Sequence, residues 1–76
     1  MDMLGGDKVP EKYWVMEEGG KQGIKFCRKL TSAIKEAKKH RSAEIWIFNN
    51  KLKGYVIYRK YSHGKLIWDR EKGAFP

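Results

Sequence analysis

The chain is poor in the residues that staple or arm a small protein. Cys27 is the only cysteine among 76 residues, so no disulfide can form within the chain. A lone thiol suits a reducing compartment, and the expected setting is intracellular and cytoplasmic. Cys27 itself reads as a small, half-buried hydrophobe at the end of a strand. His40 and His63 are the only histidines. With one cysteine they give no recognisable zinc spacing, and no cofactor is expected. No apolar run reaches the ~18 residues of a bilayer helix. The first residues, Met1 to Asp7, lack the basic-then-apolar pattern of a secretory signal.

Catalytic arrangements are scarce too. Gly19-Gly20-Lys21-Gln22-Gly23 is rich in glycine but joins two expected strands instead of opening a helix, so it does not fit a phosphate-binding loop. No serine or cysteine has a histidine and an acid in a nucleophile's chain order. His63 could act as general base in metal-free RNA cleavage, with Arg59, Lys60 or Lys65 stabilising the charged transition state. A histidine beside a turn glycine, however, reads first as a turn residue. The chain is expected not to be an enzyme.

Carboxylates are the last shortage. Nine acidic residues face seventeen lysines and arginines, giving a net charge of +8 and a pI of 9.8. Such an excess attracts anionic partners over long range and says nothing about fold.

What is present is aromatic and β-branched. Residues 1–10 carry Gly5, Gly6 and Pro10 without periodicity, and read as a flexible arm. A single α+β domain is expected over 11–71, with a polar tail at 72–76. Lys12–Glu17 is the first strand and Ile24–Arg28 the second, joined as a hairpin. Thr31 has the chemistry of an N-cap. Leu30, Ala33, Ile34 and Ala37 then repeat at helical spacing, so a helix is expected from Ser32 to about Arg41. Three strands follow as a meander: Glu44–Phe48, Gly54–Lys60 and Leu66–Asp69. The expected architecture is a mainly antiparallel five-stranded sheet in the order ββαβββ, with one short helix on one face.

Strand parity distributes the side chains. A narrow helical stripe suits aliphatic partners, which places Val15, Ile24, Phe26, Ile45, Ile47 and Ile57 beneath the helix. The other face then carries Trp14, Met16, Lys25, Trp46, Phe48, Tyr58 and Lys60, with Trp68 and Arg70 if the fifth strand is in register. One helix covers one face only. The second must curl onto itself, dimerise, be covered by the termini, or stay open to solvent.

Two features point to phosphates and bases. Lys35, Lys38, Lys39 and Arg41 gather on the helix, although cations in a last turn also complement the helix dipole. Arg59, Lys60, Tyr61 and Lys65 gather on the last hairpin, where lysines neutralise phosphates and Tyr61 donates a hydrogen bond. Lys25 interleaves with Trp14 and Trp46, which are candidate stacking residues. The expected function is a basic, non-enzymatic nucleic-acid-binding module for DNA or RNA, dominated by phosphate contacts. The alternative is a protein-interaction or inhibitor module that sets the same face against an acidic partner.

Overall fold

The computed structural model describes residues 12–74. The expected arm at 1–10 lies outside them. The elements in chain order are β1 (Tyr13–Glu17), a 3₁₀ turn (Glu18–Gly20), β2 (Gly23–Cys27), α1 (Leu30–Lys38), β3 (Ser42–Asn49), β4 (Gly54–Ser62), β5 (Lys65–Asp69) and a two-residue β6 (Gly73–Ala74). All neighbouring strands are antiparallel, in the spatial order β2-β1-β3-β4-β5-β6. The ββαβββ architecture with one packed helix is therefore present. The polar tail adds the short sixth strand, which pairs Ala74 with Trp68 and Gly73 with Asp69.

Helix α1 lays Leu30, Ala33, Ile34 and Ala37 on the sheet. They meet a core of Val15, Cys27, Ala43, Ile45 and Tyr61, flanked by Tyr13 and Ile24. Three alanines in that cluster let helix and sheet approach closely, and Tyr61 fills the remaining volume. The helix starts two residues earlier than Thr31 capping would require. Lys29 occupies the N-cap position without a side-chain hydrogen bond, and Lys39 closes the C-terminal end. His40 and Arg41 consequently lie beyond the helix.

Bulges account for the side chains that sit on an unexpected face. Directly paired residues in antiparallel strands share a face, and one inserted residue reverses the parity beyond it. Lys25 pairs with Val15 and Phe26 with Trp14, so Lys25 belongs to the helix side and Phe26 to the other. Ile24 occupies the irregularity between Lys25 and Gly23 and still reaches the core. The shift between Ile45 and Trp46 leaves Tyr58 as the extra residue of β4. Tyr58 lies 6.5 Å from the ring of Tyr13 on the helix side, and Ile57 moves opposite Trp46.

The second face holds Trp14, Met16, Phe26, Glu44, Trp46, Phe48, Tyr55, Ile57, Lys60 and Trp68. It curls. Phe26 on β2 and Tyr55 on β4 are three strand intervals apart, about 14 Å in a flat sheet, yet their ring centroids are 6.4 Å apart. Bulges in β2, β4 and β5 supply the bend.

Candidate nucleic-acid interface

The indoles are half-buried, and each is engaged by its own neighbours. Trp14 stacks on Phe26 with centroids 3.6 Å apart. A Cβ on Gly23 would stand 2.5 Å from the Trp14 ring, so glycine is required there for the chain to pass over it. Trp46 donates from Nε1 to Glu44 Oε1 at 3.0 Å, and its ring lies under Gly20, where a Cβ would be 2.9 Å away. The glycine-rich turn thus roofs two tryptophans. Arg70 sits 5.7 Å from the Trp68 ring. Trp14 and Trp46, expected to stack bases, spend much of their surface on the fold.

Two carboxylates, Glu44 and Asp69, are drawn inward. Glu44 is only 3% exposed, and its second oxygen accepts from the Gly19 backbone N–H at 3.0 Å. Asp69, also buried, faces Arg59 Nε at 3.3 Å and accepts from the Glu71 N–H at 2.9 Å. Glu71 accepts from the Tyr58 hydroxyl at 2.8 Å. Burial, reinforced by that hydrogen bond to a carboxylate, raises the Tyr58 pKa. Glu36 bonds His40 at 3.0 Å and lies 3.5 Å from Lys39 Nζ. The His40 hydrogen bond, helped by Lys39, holds the Glu36 carboxyl below its ordinary range.

Cations, by contrast, face out and converge. Lys35, Lys38 and Lys39 lie on the exposed side of α1, opposite its apolar stripe. Lys25, moved to this side by the bulge in β2, joins Lys35 and Lys39 around a shallow groove of about 490 Å³ that also includes Ser32 and Glu36. The β4–β5 turn then docks against the helix end. The His63 N–H donates to the Arg41 carbonyl at 2.7 Å, and the Gly64 Cβ position faces the Lys38 carbonyl at 3.8 Å. Lys65 itself pairs with Ser62, which pairs with Ser42, so by register it belongs to the second face. His63 and Gly64 both have positive φ, as a two-residue primed hairpin turn demands.

Three more expected contact residues stand elsewhere. Tyr61 is 4% exposed in the core, because it pairs with Ala43 and points to the helix. It is not on the turn surface. Arg59 is half-buried and tied to Asp69. Burial opposes its charge, but the Tyr61 hydrogen bond and the Asp69 carboxylate outweigh this and raise its pKa. Lys60 lies on the second face, lining a groove with Glu44 and Ile67. The structure brings Lys25, Lys35 and Lys39 together around one groove, with Lys38 exposed on the same helix, whereas Arg41 lines a separate groove with Glu17, Glu18 and Lys21. Sequence reasoning missed one signal for a positive exterior: no Asp or Glu occurs from Ile45 to Trp68.

Among the described residues, no group of three or more metal-ligating side chains could hold an ion, and no helix is long and apolar enough to cross a membrane. No protein-family model, curated protein or solved structure matches the chain.

Proposed function

We propose that this chain is a small, basic, non-enzymatic module that binds nucleic acid through phosphates, with weak sequence specificity. One observation carries the reading. Lys25, Lys35 and Lys39 converge on one exposed groove formed by β2 and α1, where Glu36 is the one carboxylate in the lining. Three clustered cations against one carboxylate, on a rigid helix and strand, complement a phosphate backbone. A single cysteine, buried at the end of β2, supports an intracellular setting.

Anisotropy titration of labelled duplex and single-stranded oligonucleotides at low and moderate salt tests the reading. Micromolar binding that weakens steeply with salt is expected. Absence of binding at low salt overturns it. In that case the exposed Leu66 and Ile67 on β5 favour a protein partner instead, to be sought by pull-down.

A further inference from the structure

At the end of the sheet remote from the helix-side cations, the β3–β4 hairpin carries a second and chemically different surface. The ladder runs from Ser42 paired with Ser62 to Asn49 paired with Gly54. The hairpin loop therefore lies about 23 Å from the docked β4–β5 turn. Beside the loop, Phe48 and Tyr55 face each other across the strands with centroids 5.5 Å apart and rings at 77°. Phe48 is 43% exposed and Tyr55 37%.

These rings end an aromatic row. Trp14 stacks on Phe26, Phe26 lies 6.4 Å from Tyr55, and Tyr55 meets Phe48. The row is half-buried at one end and open at the other. Strand packing fixes the two rings, so a flat ligand would find them already ordered. Exposed Lys51 and Lys53 flank the open end. Their loop is held by the Leu52 N–H donating to Asn49 Oδ1 at 2.8 Å and by a positive φ at Lys53.

Aromatic faces beside exposed lysines, with no carboxylate nearby in the chain, match a base attached to a phosphate. A second copy of this chain would bring lysines against lysines. A lipid surface would use Leu52, which is 69% exposed at the loop apex. That apex is a single aliphatic side chain, whereas the rings lie on the sheet. The ring pair is what an unpaired base would recognise.

We infer that Phe48 and Tyr55 form a stacking ledge for unpaired bases of single-stranded nucleic acid, with Lys51 and Lys53 on the adjoining phosphates. This rests on the nucleic-acid reading above and adds strand state to it. The ledge selects single strands, and the helix-side cations serve any phosphate backbone.

The test uses the full chain, a labelled oligothymidine and a hairpin duplex of matched charge. Phe48→Leu combined with Tyr55→Leu keeps apolar surface but removes both π-faces. Single-strand affinity should fall roughly tenfold while duplex affinity stays unchanged, and Phe48→Trp should retain single-strand binding. Lys51→Gln with Lys53→Gln leaves the rings intact, and should flatten the salt dependence for the single strand alone. Equal losses on both ligands, or no loss on either, overturn the ledge and leave the phosphate reading standing. Wild-type protein that binds neither ligand overturns both. Binding to phosphatidylserine vesicles that Leu52→Gln abolishes, with single-strand binding indifferent to the rings, assigns the hairpin to lipid and also overturns the ledge.

Discussion

At the residue scale, Glu44 carries the most structure per side chain. It sits on the second face, nearly sealed, between the Trp46 indole N–H and the Gly19 backbone N–H. Both oxygens accept, and that is chemistry only a carboxylate performs with both arms. In Glu44→Gln one arm becomes an amide NH₂, which confronts an N–H donor with another donor. The variant should lose about 1–3 kcal/mol, the scale of a buried donor left unpaired. Urea denaturation measures the loss, and a shifted Trp46 emission should accompany it. An unchanged midpoint would show that the two hydrogen bonds contribute nothing net. The sequence exposed little of this. Glu44 reads as the polar start of a strand, and one of its two partners, the Gly19 N–H, arrives from a turn twenty-five positions away.

At the element scale, the helix was legible in its apolar stripe and less so in its ends. The spacing of Leu30, Ala33, Ile34 and Ala37 marks the buried face. The N-terminus departs from local chemistry: a lysine, with no oxygen to offer, stands where Thr31 seemed fitted to cap. Lys29→Asp supplies an acceptor for the first turn's N–H groups and a negative charge at the positive end of the helix dipole. It should raise stability by about 1 kcal/mol, seen as a higher melting temperature. No rise would mean that water already satisfies those donors. Strand positions were similarly legible from runs such as Ile45-Trp46-Ile47-Phe48, because aromatic and β-branched residues favour a pleated surface. Face assignments failed where bulges intervened. An extra residue at Ile24 or Tyr58 leaves no mark in composition, yet it sends Lys25 to the helix side and Ile57 away from it. Trp14, Trp46 and Trp68 kept their expected common face, since Trp14 pairs with Trp46 and Trp68 follows Lys60.

At the scale of the whole molecule, the proposed binding surface depends on an adjacency that no single segment contains. Lys25 on β2 and the helix lysines Lys35 and Lys39 belong to different elements, and they meet around one groove beside Glu36. Sequence could name both groups but not their meeting, because it arises from tertiary docking. Tyr61 was misplaced for the same reason, since its burial depends on space left by alanines on other elements. If Lys25, Lys35, Lys38 and Lys39 act together, duplex binding should follow a log–log salt slope of roughly −3.5. Between about 50 and 200 mM salt, affinity should then fall by roughly two orders of magnitude. Neutralising the pair at the groove, Lys35→Gln with Lys39→Gln, should make that slope shallower by about 2. Lys12→Gln with Lys72→Gln removes the same charge from residues outside the converging group, and should leave the slope near the wild-type value. Equal flattening by both pairs would mean that the protein attracts DNA or RNA as a diffuse positive body. Only a difference between them localises binding to the surface where α1 and β2 meet.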